Sequence, residues 1–152
     1  MKITGYKLEK YIEQLDRAIG DANYPKGDDL MGMSILRIET DEGITGIAPG
    51  GNDAIESLFH VIEGKDPRGV VGLWKEMVDW VHKGNNEGAV NAAISAIDVA
   101  LWDLKAKINN EPLWQTLGAR EGRAKAYASD IGYNLSDDEL HDFYSRMADM
   151  GI

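Results

Sequence analysis

Alternation of apolar and polar residues predicts a β-rich opening to the chain. Residues 2–8 have the composition of a strand, and residues 33–40 alternate between apolar and charged positions from Leu36 onward. Residues 41–43 read Asp-Glu-Gly, which is typical of a tight turn, and residues 44–48 form the return strand. The pattern predicts an antiparallel hairpin that follows one earlier strand.

The segment between that first strand and the hairpin, residues 17–32, has a different composition. It is rich in glycine, aspartate, asparagine and proline and carries no apolar stripe. We therefore expect an irregular, mobile loop over these residues.

Two helices are predicted after the hairpin, because the apolar period changes from two to about 3.6. Asp53 and Glu56 have the spacing of a capping box at the start of the first helix. The second helix covers residues 71–81 and ends near Gly84. The apolar stripes of the two helices are Ile55, Leu58, Phe59 and Ile62, then Val71, Trp74, Met77, Val78 and Val81.

A long helix is predicted over residues 90–108, followed by a short one that Pro112 opens and Gly118 closes. Asp103 and Lys107 are an i,i+4 pair on the long helix, and we interpret Asp98, beside the apolar seam, as structural. Small residues interleave the seam and allow close packing of a neighbouring element. The seam consists of Val90, Ile94, Ile97, Leu101, Leu104 and Ile108.

The last thirty residues predict a strand, a loop and a helix. Residues 124–129 are the predicted strand, and Ser136 with Glu139 forms a capping box for a helix that stops at Gly151. Such a unit starts a βαβ arrangement, in which a parallel strand needs neighbours on its edges and helices on its faces. We expect an unfinished domain here.

Composition and charge narrow the class of protein. The net charge of −10 disfavours nucleic acid and anionic membranes as partners, and no cysteine is present among the 152 residues. The absence of thiols suits a cytoplasmic protein. The N-terminus has no apolar signal region, and the most apolar stretch, residues 89–102, is too short to span a bilayer.

No complete catalytic constellation is evident from the residues alone. The glycine-rich run 43–54 does not read G-x-G-x-x-G, so a tight connection or a loop over a substrate fits better than a nucleotide site. His60, His82 and His141 lack metal-ligand spacing, and Lys125 is interpreted as a solvent-facing strand residue.

The long helix carries a more specific signal. The sequence Ala93-x-Ser-Ala-Ile-Asp-x-Ala-Leu-x-Asp-Leu-x-Ala-Lys107, then Pro112-Leu113 and Leu117-Gly118, closely resembles the N-terminal signature of the mandelate racemase/muconate lactonizing enzyme group of the enolase superfamily. One departure is Thr116, where that group usually has leucine. The order of the other elements also fits, so the resemblance covers the whole chain.

The resemblance implies an α+β capping domain over residues 1–120, with an antiparallel sheet followed by helices. It implies that residues 121–152 are the first β/α unit of a truncated, modified TIM barrel. In that group the cap closes over the mouth of the barrel and shapes substrate choice. Four substrate-binding candidates lie on the two predicted cap loops and three follow the barrel strand: Tyr24, Lys26, Pro49 and Asn52, then Ser129, Asp130 and Tyr133.

The chemistry implied by the resemblance is abstraction of a proton α to a carboxylate, with the developing enolate held on Mg²⁺ and a Lys or His as base. The group's lysine motif and its metal ligands fall beyond Ile152, so no catalytic or metal residue is assigned here and we expect the chain alone to be inactive. The polar cap loops favour a hydroxyl-rich sugar acid as the small carboxylate substrate, and hence a dehydratase. We also expect a homo-oligomer.

Two alternatives stay open. Within the same superfamily the parent enzyme is a racemase, an epimerase or a cycloisomerase. From a different class, the chain is a non-catalytic capping or interaction module.

Overall fold

The computed structural model describes residues 1–83, 88–128, 132 and 134–152. The elements follow the order β1 (Ile3–Ile19), β2 (Asp28–Thr40), β3 (Thr45–Pro49), α1 (Ile55–Ile62), α2 (Val70–Val81), α3 (Ala89–Ile108), α4 (Leu113–Thr116) and α5 (Asp137–Asp149). The three strands form one antiparallel sheet in the order β1-β2-β3. An α+β architecture with the sheet before the helices is therefore confirmed.

The chain folds as two compact units, and β1 and β2 each contribute to both. The first unit comprises Met1–Tyr11 and Met33–Gly122, and the second comprises Ile12–Gly32 and Arg123–Ile152. In the part of the chain that the structure describes, no helix combines the length and the apolar character that crossing a membrane requires.

The hairpin of the first unit forms where the alternation predicted it. The strands β2 and β3 pair in a register that sets Leu36 opposite Ala48 and Ile38 opposite Gly46, and all four residues are buried. The turn between them closes with a hydrogen bond from the Gly43 N–H to the Thr40 carbonyl, 3.1 Å long. Two cross-strand ion pairs, Lys7–Glu39 at 2.8 Å and Glu9–Arg37 at 2.7 Å, join β1 to β2.

The core of the first unit lies between the sheet and the helices. Helix α3 contributes the largest share, because its apolar seam turns inward together with Ala93, Ala96 and Ala100 and packs against β3, α1 and α2. The largest fully buried side chains are Ile3, Leu36, Ile38, Ile55, Leu58, Ile62, Val70, Met77, Ile94, Ile97, Leu101 and Leu104. The small residues on this face of α3 allow the close packing, as the sequence predicted.

The expectation of an irregular loop over residues 17–32 is wrong for half of that segment. Strand β1 continues to Ile19 and β2 already begins at Asp28, so only residues 20–27 connect them. The physical reason is that β1 and β2 are neighbours in the sheet, and pairing between strands overrides the local preference of turn-forming residues.

The predicted capping box at α1 is also wrong. The N-cap is Ala54, it makes no side-chain cap hydrogen bond, and Asp53 pairs instead with Lys10 at 2.9 Å. The Asp53 carboxylate therefore binds Lys10, which is distant in the sequence, instead of capping the helix. The capping box at α5 is confirmed, with Ser136 and Glu139 bonding each other's backbone N–H groups.

The predicted strand at residues 124–129 is not formed over 124–128, and Ser129 lies outside the described residues. A strand is defined by a ladder, and the described part of this segment has no neighbouring strand with which to form one. The helix predicted after it is present as α5, which begins after Ser136 as predicted and ends at Asp149, two residues before Gly151.

Candidate functional site

The loop from β3 to α1 carries two of the candidate residues, Pro49 and Asn52, in the first unit. Strand β3 ends at Pro49, which is exposed. The Gly50 N–H then bonds the Ser34 carbonyl at 2.7 Å, and Gly51 adopts a φ of 101°, a conformation that favours glycine. Space is also restricted there, because a Cβ on Gly51 would lie 3.0 Å from the side chains of Ile55 and Leu8.

The Asn52 side chain anchors this loop at both of its polar ends. Its Nδ2 donates to the Ala89 carbonyl at 2.9 Å, and its Oδ1 accepts from the Ala54 N–H at 2.9 Å. One amide hydrogen and one lone pair remain for a further partner. Asn52 is therefore a fixed side chain, with its orientation set before any ligand arrives.

An open cleft of about 430 Å³ lies beside this loop. It is lined by Tyr6, Leu8, Lys10, Asn52, Asp53 and Glu56. Lys10 and Asp53 form an ion pair at its rim, with 2.9 Å between the Lys10 Nζ and the Asp53 Oδ1. Both side chains are largely exposed. The cleft thus combines an apolar wall with a polar rim that can form hydrogen bonds. The pattern of the sequence did not identify Lys10, since only the fold brings it next to Asp53.

The turn at residues 20–27 carries the candidates Tyr24 and Lys26 in the second unit. The Asp21 Oδ1 accepts from the N–H groups of Asn23 at 2.7 Å and Tyr24 at 2.8 Å, and the Gly27 N–H bonds the Tyr24 carbonyl at 3.0 Å. These bonds organise the turn from within. Tyr24 and Lys26 both point into solvent, and Tyr24 is 57% exposed.

Tyr24 and Lys26 therefore lie on the same turn, and Pro49 and Asn52 lie on the same loop. The remaining candidates, Ser129, Asp130 and Tyr133, lie outside the described residues.

Charged residues on α3 occupy two different environments. Burial raises the pKa of the Asp98 carboxyl, although a hydrogen bond with Trp102 opposes the rise. Asp103 instead bonds Lys107 at 2.7 Å, which confirms the predicted i,i+4 pair, and also accepts from the Ile47 N–H at 2.8 Å. The bond to β3 was missed, because nothing local in the sequence shows which strand lies beside α3.

A magnesium site does not fit the described residues. Among residues 1–83, 88–128, 132 and 134–152, no group of three or more His, Asp or Glu side chains is placed to hold a metal ion.

Comparison with known proteins decides the family. The N-terminal domain model of mandelate racemase/muconate lactonizing enzyme matches residues 30–118, more than half of the chain. The chain belongs to the mandelate racemase/muconate lactonizing enzyme family. The capping-domain architecture of that family is the one observed in the sheet and helices.

Three relatives show the range of this family. The chain is 41% identical over 97 residues to a D-galactonate dehydratase family member from Marinomonas sp. (strain MWYL1), covering 56% of this chain and 23% of that protein. A racemase from Streptomyces coelicolor A3(2) with bound magnesium has 26% identity and a TM-score of 0.83, covering 96% of this chain and 43% of that one. A 3,6-anhydro-D-galactonate cycloisomerase from Zobellia galactanivorans has 30% identity and a TM-score of 0.64, covering 78% and 32%.

These family relatives are enzymes, and the chain spans less than a quarter of the length of the curated relative that it matches.

Proposed function

We propose that this chain is the capping part of a magnesium-dependent enzyme that abstracts a proton α to a carboxylate and dehydrates a sugar acid. The observation that carries the proposal is the 41% identity to a D-galactonate dehydratase family member. The polar rim of the β3–α1 loop supports it, since a hydroxyl-rich ligand needs donors and acceptors that an aryl acid does not.

In this proposal the cap side chains contact the substrate. Lys26 offers an exposed ammonium to a carboxylate, Tyr24 offers a phenol, and Asn52 offers its remaining amide hydrogen. Pro49 gives an apolar wall. From the sequence alone, we also propose that the substrate contacts Ser129, Asp130 and Tyr133. The boundary between the cap and the barrel, between residues 120 and 121, is likewise a proposal from the sequence.

The base and the magnesium ligands are proposed to belong to the parent enzyme outside these 152 residues. We therefore expect this chain by itself to show no turnover. We further propose a cytoplasmic homo-oligomer. The absence of cysteine supports the location, and analytical ultracentrifugation of the whole protein tests the assembly.

The test is to express the complete reading frame that contains this chain and screen it with Mg²⁺ against a panel of sugar acids. We expect formation of 2-keto-3-deoxy products that EDTA abolishes and added Mg²⁺ restores. The 152-residue chain, tested in D₂O at the same concentration, serves as the control and should incorporate no deuterium at the α-carbon. Absence of any α-proton chemistry in the whole protein would favour a non-catalytic capping module.

A second candidate function is racemisation or cycloisomerisation. The TM-score of 0.83 with a racemase and the 30% identity to a cycloisomerase favour it. Turnover restricted to α-deuterium exchange or ring opening, without a keto-deoxy product, would select this candidate over the dehydratase.

A further inference from the structure

The outer edge of β3 is an open sheet edge, because β3 is the last strand in the order β1-β2-β3. In an antiparallel ladder, backbone groups point alternately toward and away from the paired strand. The Gly50 N–H bonds the Ser34 carbonyl, so the backbone groups of Ala48 and Gly46 also face β2, and the outward-pointing groups include the Ile47 N–H and the Thr45 carbonyl. Left without partners, such groups destabilise the fold or recruit another strand.

Both outward groups are bonded by side chains of α3. The Asp103 Oδ2 accepts from the Ile47 N–H at 2.8 Å, and the Lys107 Nζ donates to the Thr45 carbonyl at 2.9 Å. The carboxylate thus meets a donor and the ammonium meets an acceptor. The two charges also bond each other at 2.7 Å, and Asp103 is only 25% exposed. Bonds in which one partner is ionised are shorter and stronger than neutral ones.

The start of the same helix holds the other end of this segment. Ala89 is the first residue of α3, and its carbonyl accepts from the Asn52 Nδ2 at 2.9 Å. A helix of 20 residues is about 30 Å long and rigid. It therefore holds the chain at two points, the edge of β3 near Ile47 and the side chain of Asn52. Between those two points lie Pro49, Gly50 and Gly51, and both glycines adopt positive φ angles, 87° and 101°.

We infer that Asp103 and Lys107 are positioning residues: by clamping the outer edge of β3 to α3, they fix the loop that carries Pro49 and Asn52 against the cleft. Their effect on a ligand acts through the loop, since their own side chains are bonded to β3. This role explains why a charged pair stands on the helix face that packs against the sheet.

Amide hydrogen exchange of the whole protein tests the inference without reference to activity. The reporters are the amides of Ile47, Gly50 and Ala54, and the amides of Leu58 and Val61 report on local opening of α1, in which the clamp on β3 stays intact. Asp103→Ala should accelerate exchange at the three loop reporters by about tenfold, the change that corresponds to a hydrogen bond of ordinary strength. Exchange at Leu58 and Val61 should stay unchanged.

Three further variants sharpen the result. Asp103→Asn keeps an oxygen that can accept from Ile47 and should restore most of the protection. Lys107→Met keeps the aliphatic stem and should show an intermediate effect. Lys105→Met is the matched control, because Lys105 lies on the same helix above the Trp102 ring, 5.0 Å from its centroid, and should change none of the reporters. Equal acceleration at all five amides, or none at Ile47, would overturn the positioning role.

A kinetic arm rests on the proposed function. With a sugar acid that the whole protein turns over, Asp103→Ala should raise KM about tenfold while kcat stays within about twofold, and Asp103→Asn should recover KM. An unchanged KM would overturn the link between the clamp and the site. Absence of turnover in the wild-type protein would contradict the proposed function, whereas the exchange experiment decides the positioning role by itself.

Discussion

Gly46 of β3 lies directly against the carbonyl oxygen of Ala100 in α3, so closely that an added Cβ would overlap that oxygen. The same Cβ would lie 2.9 Å from the Cβ of Leu104. Helix and strand meet here backbone to backbone, with the Leu104 side chain packed beside the glycine. The small residues of α3 and Gly46 of β3 together therefore allow the helix and the strand to pack this closely.

Gly46→Ala should destabilise the first unit by about 1–3 kcal/mol, because overpacking at a backbone atom forces the strand or the helix to shift. Gly72→Ala is the matched control: Gly72 lies in α2, and its added Cβ meets no atom within 4 Å. The control should gain about 0.5–1 kcal/mol from helix propensity. Urea denaturation of both variants measures the two free energies of unfolding, and equal signs would contradict the contact.

Ser136→Ala should weaken the start of α5 by about 1 kcal/mol, because the Ser136 hydroxyl caps the Glu139 N–H. Hydrogen exchange at the first turn of α5 measures the effect. Ser145→Ala, later in the same helix, is the control and should leave that turn protected.

The pH dependence of this cap follows from Glu139. Hydrogen bonds from the Ser136 backbone N–H and then its hydroxyl hold the pKa of the Glu139 carboxyl below its ordinary value of 4.5. The unfolded chain therefore binds the proton first as the pH falls, and the cap's contribution is present above pH 4.5 and lost below it. Cap protection that rises as the pH falls from 5 to 3 would contradict this sign.

Asp98→Asn should make the protein more stable at pH 7. Burial raises the pKa of Asp98 above its ordinary value of 3.8, so the folded state binds the proton more tightly than the unfolded chain does. The ionised carboxylate therefore lowers stability as the pH rises through the window above 3.8. Denaturation at pH 7 and pH 3 tests this: the advantage of Asn over Asp should vanish at pH 3. Asp79→Asn, in an exposed ion pair with Lys75, is the control and should shift stability by less than about 0.5 kcal/mol.

Lys26→Met should raise KM for a sugar acid by about tenfold or more with little change in protein stability. The ammonium is exposed on the turn, and loss of a charge-assisted bond to a carboxylate has an effect of this size. Steady-state kinetics of the whole protein measures it, with Lys105→Met as the control. An unchanged KM would remove Lys26 from the set of substrate-binding candidates.

Local patterns predicted the parts of this fold that local physics decides. The alternation at Leu36 and Ile38 gave the hairpin, the seam of α3 gave the long helix, and Ser136 with Glu139 gave a true cap. In each case the residues that form the element are neighbours in the chain.

The errors share the opposite cause. Asp53 had the right spacing for a cap, but Lys10, 43 residues earlier, binds its carboxylate. Residues 17–19 and 28–32 have loop composition, yet belong to strands because a partner strand lies beside them. The clamp of Asp103 on Ile47 was invisible for the same reason, since it joins residues 56 positions apart.

The ion pairs between β1 and β2 have a consequence for folding accuracy. Lys7–Glu39 is largely exposed and Glu9–Arg37 is half-buried, so each adds little to stability, but both depend on the alignment of the two strands. A slip of two residues keeps every side chain on its own face, so burial alone cannot reject it. A slip of two residues shifts the partners of each pair by about 7 Å relative to each other along the strands, so neither ion pair keeps its native geometry. The two pairs therefore add a cost to misalignment that burial alone does not supply.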